Sequence, residues 1–149
     1  MKTVFIICLI IIGFGVWKIK QTCWHKDISL VDTDLIKRLL DRGADINAKD
    51  NDFTLLMKAA TEGYVKTSKL LIDKGAYIDA KTDEGSTALI LAARAGYAKI
   101  VELLINAGAN VKVKNDMGWT AEMYAKEKGY TDITQMLKLR SDIIDAERV

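Results

Sequence analysis

Reactive side chains are few in this chain, and their spacing limits their chemistry. The single histidine, His25, follows Cys23 and Trp24. Cysteine and histidine can form a nucleophile and base, but near neighbours in a linker rarely achieve that geometry. Cys8 lies inside an apolar run and reads as a small apolar residue. Cys23 is available to pair with another chain in an oxidising compartment. Two cysteines and one histidine exclude a disulfide scaffold, a four-cysteine zinc site and a histidine-rich metal centre. Asp50 with Asp52, and Asp83 with Glu84, have the spacing of paired carboxylates. Both pairs lie in turn-forming stretches, where solvated acids are the simpler reading. Gly13-Phe14-Gly15 is no phosphate loop, because no strand precedes it and no Gly-Lys-Ser/Thr follows. Tyr64, Tyr97 and Tyr130 would suit a base-stacking platform, but each follows a glycine in a fixed place, which points to packing. No residue set is left for a catalytic centre. No enzyme activity, metal, cofactor or small-molecule substrate is expected.

The elements that carry these residues are bounded by composition. A chain of 149 residues, half of them apolar, 28% charged and none proline, is the size of one compact domain and is not a disordered one. The net charge of +2 hides a split. Lys2, Lys18, Lys20 and Lys26 all precede the first acid, Asp27; without them 18 basic residues face 20 acidic ones. A nucleic-acid binder would carry a basic face on its folded part, so nucleic acid is not an expected partner.

Val4 to Trp17 reads VFIICLIIIGFGVW, without a charge. Residues 3–19, with Lys18 snorkelling, would span roughly 25 Å as a helix, close to a bilayer core. We expect a single hydrophobic helix within residues 1–20 acting as a signal anchor, with residues 21–26 as linker. The alternatives are a cleaved signal, leaving a secreted or periplasmic domain, and a buried core helix. Gly13 and Gly15 are the only small pair fit for cleavage, and no polar region precedes them. The lysines after the run favour a cytoplasmic domain. The short segment before the run, holding only Lys2 as a charge, favours export, and the exported side is the expectation taken.

The rest of the chain repeats. Thr54, Thr87 and Thr120 are spaced by 33, as are Gly63-Tyr64, Gly96-Tyr97 and Gly129-Tyr130. Ala59, Ala92 and Ala125 keep that phase, and so do Leu71, Leu104 and Leu137. Gly43-Ala44, Gly75-Ala76 and Gly108-Ala109 follow at 32 and 33. Within residues 83–114, Asp83-Glu84-Gly85 is a turn and Thr87 a helix cap. Leu89, Ala92 and Ala93 share a helical face. Gly96 ends that helix and Gly108 ends the next, whose apolar side is Ile100, Val101, Leu103 and Leu104. Each unit is a turn and two short helices, too short to stand alone, so neighbouring units must supply the stability.

Gly85, Thr87, Leu89, Ala92-Ala93, Gly96, Ile100-Val101, Leu103-Leu104, Gly108-Ala109 and Val111 together resemble the ankyrin repeat family. Gly43-Ala44-Asp45-Ile46-Asn47-Ala48-Lys49-Asp50 is especially close to that family's loop. The resemblance covers roughly residues 27–139 and implies an all-α helical solenoid of about four repeats behind the N-terminal helix. The domain would run over 27–145, with a partial unit 27–47 and full units 48–80, 81–113 and 114–145. The family's Thr-Pro-Leu-His tetrad here lacks every proline and histidine, which implies modest stability. The turn before Thr54 is one residue short and lacks a glycine, so an irregular hairpin is expected there. Thr67 and Ser68 replace the apolar Ile100 and Val101. Glu122 and Lys126 replace Leu89 and Ala93 in the last unit, as a solvent-facing cap would. Ile143 and Ile144 should extend the last helix, and Asp145 to Val149 should fray.

By resemblance, the hairpin tips and inner helices form a concave surface that grips another protein. The residue before each threonine is Phe53, Ser86 and Trp119; the positions before each loop glycine give Thr61, Glu62, Arg94, Glu127 and Lys128. Asn51, Asp52, Asp83, Glu84 and Met117 add the turns. Phe53 and Trp119 are the candidate aromatic anchors, and Arg94 the candidate for a partner's acid. The expected function is a non-catalytic protein-binding module, tethered to or exported across a membrane, that holds or protects its partner. A membrane-anchored spacer with no specific partner is the alternative.

Overall fold

In the computed structural model, residues 32–147 are described. The expected N-terminal helix, the linker, residues 27–31 of the first unit and residues 148–149 lie outside them.

The described chain is seven helices and one short hairpin. The order is α1 (Thr33–Asp41), β1 (Lys49–Asp50), β2 (Phe53–Thr54), α2 (Leu55–Glu62), α3 (Val65–Asp73), α4 (Ala88–Ala95), α5 (Ala98–Asn106), α6 (Ala121–Glu127) and α7 (Thr131–Ala146). Helix α2 packs on α4 and α4 on α6, forming an inner row. Helices α1, α3, α5 and α7 form an outer row, each against the next. Within a unit, α2 meets α3, α4 meets α5 and α6 meets α7.

The repeated threonines start the inner row. Thr54, Thr87 and Thr120 each accept a hydrogen bond from the backbone N–H three residues on, at 3.3, 3.4 and 3.3 Å. That satisfies one of the donors a helix start leaves open. The glycine pairs stop the helices. Gly63 and Gly96 adopt φ of 83° and 84°, left-handed backbone that resists a side chain. The following residue then donates back to the helix: Tyr64 to the Ala59 carbonyl, Tyr97 to Ala92 and Tyr130 to Ala125. Outer helices end alike, with Ala44, Ala76 and Ala109 donating to Leu39, Leu71 and Leu104. Both glycine series in the sequence are therefore the same helix-ending motif.

The core lies between the rows. Ala59, Ala60, Ala92, Ala93 and Ala125 are fully buried, and their small size lets the inner helices approach closely. Ile36, Leu71, Ile100, Val101, Leu104, Ile133 and Leu137 are fully buried on the outer row. Each such aliphatic side chain contributes roughly 1.5–3 kcal/mol by leaving water. Thr67 and Ser68 share that position and are buried too. The Ser68 hydroxyl finds no hydrogen-bond partner there.

Two expectations are corrected. The turn before Thr54 is regular: Lys49 pairs with Thr54 and Asp50 with Phe53 around a two-residue loop. Asn51 and Asp52 take φ of 47° and 73°, as a tight hairpin turn demands. Asparagine and aspartate tolerate that backbone, so the missing glycine is not missed. The later turns carry one residue more, and there Gly85 and Gly118 supply the positive φ. The second correction is at the other end. Asp145 does not fray; it lies within α7 and ion-pairs with Lys112. The expected extension through Ile143 and Ile144 is present.

Candidate protein-binding face

The inner row and the hairpins build one continuous face, tied across units by polar bonds. The Asp83 N–H donates to the Asp52 carboxylate at 2.5 Å, and Asp116 N–H donates to the Glu84 carbonyl at 3.0 Å. The Lys49 ammonium bridges Asp52, at 3.1 Å, and the Lys81 carbonyl, at 2.8 Å. Asp50 receives Lys58 at 2.5 Å. The Asp52 and Lys49 bonds and the Asp116–Glu84 backbone bond hold neighbouring hairpins in register, and the Asp50–Lys58 pair ties the first hairpin to α2. The Asp83 N–H, aided by Lys49, holds the Asp52 carboxyl below its ordinary value. At the edge of the face, a hydrogen bond to Glu62 raises the Tyr64 phenol above its ordinary value.

The expected contact residues divide by exposure. Thr61, Glu62, Asp83, Glu84, Arg94, Glu127 and Lys128 are exposed, and Met117 keeps 65% of its surface in water. The Thr61 hydroxyl donates back to the Met57 carbonyl at 2.9 Å. Phe53 and Trp119 are only half-exposed and pack on the core. Ser86 is buried, so it is not a contact residue. Its N–H donates to Thr82 Oγ1 at 3.0 Å and its carbonyl accepts from Thr82 N–H. A serine fits there because its backbone closes the hairpin and its small side chain needs no room.

The chain brings three groups together that the sequence reading treated apart or omitted. The rings of Trp119 and Tyr124 lie 4.9 Å apart, tilted by 43°. The Arg94 guanidinium lies over the Tyr124 ring, 5.9 Å from its centre. Arg94 comes from α4 and Tyr124 from α6, so the contact spans two units. Asn115 secures the cluster from beneath. Its Nδ2 donates to the Tyr124 hydroxyl at 3.0 Å and its Oδ1 accepts from Trp119 N–H at 2.9 Å. Sequence reasoning found Arg94 and Trp119 and missed Tyr124 and Asn115. The signal was available: Tyr124 stands 33 residues after Leu91 and 66 after Lys58, and is the only aromatic of the three.

The tyrosine series is structural, as its glycine spacing suggested. A β-carbon on Gly96 would meet the Tyr130 ring at 2.6 Å. Among the described residues, no helix is long and apolar enough to cross a membrane.

Comparison with known sequences agrees with this architecture. A family model described as ankyrin repeats (3 copies) matches residues 8–82 and 78–146. Ankyrin repeat domain-containing protein 17 of Mus musculus is 46% identical over 52 residues, 33% of this chain. The chain spans 2% of the length of that curated relative.

Proposed function

This chain belongs to the ankyrin repeat family, whose repeats are protein–protein interaction modules, and we propose that it is a non-catalytic module binding a partner through the inner-helix and hairpin face. The observation that carries this reading is the Arg94–Tyr124–Trp119 cluster. It places a buried tyrosine and a half-exposed tryptophan beside an exposed guanidinium, the composition of an interface anchor. In our reading residues 3–19 tether the domain to a membrane, with the domain on the exported side, where it restrains or shields its partner. The uncharged run of Val4 to Trp17 supports the tether.

Crosslinked pull-down of the full chain from its native cells tests this. One comparison bait is Phe53→Ala, Arg94→Ala, Trp119→Ala. Because Phe53 and Trp119 pack on the core, a second bait, Arg94→Glu with Glu84→Lys, alters exposed groups only. A partner lost with both baits supports the reading. Equal recovery with all baits removes this face from the function, and recovery with none favours a spacer. Alkaline extraction of membranes tests the tether: release of the chain into the soluble fraction would refute it.

A further inference from the structure

We infer that Arg94, Tyr124 and Trp119 form a receptor for a partner segment that offers one carboxylate beside a large apolar side chain, flanked by lysine or arginine. The inference rests on the module reading and adds the chemistry of the partner.

Arg94 is exposed, and among the described residues it has no ion-pair partner. Four lysines of the same domain, Lys49, Lys58, Lys74 and Lys112, do pair with carboxylates. The Arg94 guanidinium instead rests on the Tyr124 ring. That cation–π position restricts the side chain and lowers the ordering cost when a carboxylate takes two of its N–H groups. Tyr124 keeps 7% of its surface in water, so it is a packed platform and not a loose surface aromatic. The half-exposed Trp119 ring beside it presents an apolar edge within reach of the residue next to that carboxylate.

The charges around this point define the flanks. Asn115, which bonds Tyr124 and Trp119, is followed by Asp116, whose N–H bonds the Glu84 carbonyl, so the adjoining hairpin tips carry Asp83, Glu84 and Asp116, all exposed. A uniformly acidic partner would be repelled there. A single acid between basic residues meets both signs and is held in one register.

The test uses the full chain in detergent and four pools of synthetic twelve-residue peptides. Each pool has randomised polar positions and a fixed central pair: Glu-Phe, Gln-Phe, Lys-Phe or Glu-Ser. All four carry two flanking lysines. Binding is read by fluorescence anisotropy. The Glu-Phe pool should bind about tenfold more tightly than either the Gln-Phe or the Glu-Ser pool. Arg94→Gln should erase the preference for Glu over Gln, and Arg94→Lys should keep only part of it. Arg94→Glu should turn the preference to Lys-Phe, a gain that misfolding cannot mimic. Equal binding of the Glu-Phe and Gln-Phe pools would overturn the inference, and so would a preference that survives Arg94→Gln. Binding of another pool that Glu84→Lys disrupts would leave the module reading standing while removing this partner class. Binding of no pool overturns the inference, and with equal pull-down by all baits removes the module reading too.

Discussion

The Tyr97 ring lies so close to Gly63 of the preceding unit that a β-carbon there would stand 2.5 Å from Tyr97 Cε1. Tyr130 bears the same relation to Gly96 one unit later. The glycine therefore has two duties. It takes the left-handed backbone that ends an inner helix, and it leaves room for the next unit's tyrosine. Gly129 ends the last inner helix with φ of 77°, but no atom comes near the site of its β-carbon.

These duties can be separated by mutation. Gly129→Ala should cost only backbone strain, about 1–2 kcal/mol. Gly63→Ala and Gly96→Ala should cost that and a further 1–3 kcal/mol or so for overpacking against the ring. Urea unfolding of the three variants measures the difference. In the pair Gly63→Ala with Tyr97→Ala the losses should be less than additive. Equal destabilisation at all three glycines would show that the ring contact is without energetic weight.

The buried Ser68 hydroxyl should be a liability. Ser68→Ala removes a donor and acceptor that have no partner, and should raise stability by about 1 kcal/mol. Val101 fills the equivalent position one unit later and is fully buried. A loss of stability in Ser68→Ala would mean that the hydroxyl is satisfied by water.

Asn115 should matter more than its place in a turn suggests. Asn115→Ala strands the Trp119 N–H and the Tyr124 hydroxyl, and should cost about 1–3 kcal/mol. Asn115→Thr should be milder, because Thr82 caps the same turn one unit earlier through Oγ1. Tryptophan fluorescence during denaturation reports both, although the spectrum also includes the other tryptophans. A threonine variant as damaged as the alanine one would place the weight on the Tyr124 bond.

Acid should loosen the ties between units. The hydrogen bond from Lys74 holds Asp41 below the ordinary value of 3.8, and the Asp83 N–H does the same for Asp52. Because the folded values are depressed, these groups stabilise the fold above pH 3.8, and the effect is lost as pH falls through the folded values. Asp41 is exposed and Asp52 half-buried, so salt should weaken the Asp41 contribution more than that of Asp52. Asp52→Asn should lower the melting temperature at neutral pH, and the gap from wild type should close towards pH 2. A gap that is unchanged at pH 2 would assign the effect to the turn and not to the charge.

The tight turn gives a final test. Asn51→Ala, forced to positive φ, should cost about 1 kcal/mol, and Asn51→Gly should be close to neutral. If both are neutral, the turn relaxes to another form.

The sequence alone determined the repeat and its helix caps, because each cap depends on groups close in the chain. A threonine hydroxyl reaches a backbone N–H three residues away, and a glycine bends the chain where it stands. The short turn was misread because the shortage was counted as a missing glycine, whereas Asn51 and Asp52 carry the left-handed backbone themselves. The exposure of Glu62, Asp83, Arg94 and Glu127 was also legible, since charged groups on hairpins and at helix ends stay in water. What only the tertiary structure decided was which of these act together. Arg94 and Tyr124 stand 30 residues apart and meet only because α4 packs on α6. The burial of Ser86 and the half-burial of Phe53 and Trp119 depend on how closely the alanine-lined helices approach. That approach is set by packing between units, a property that no single repeat contains.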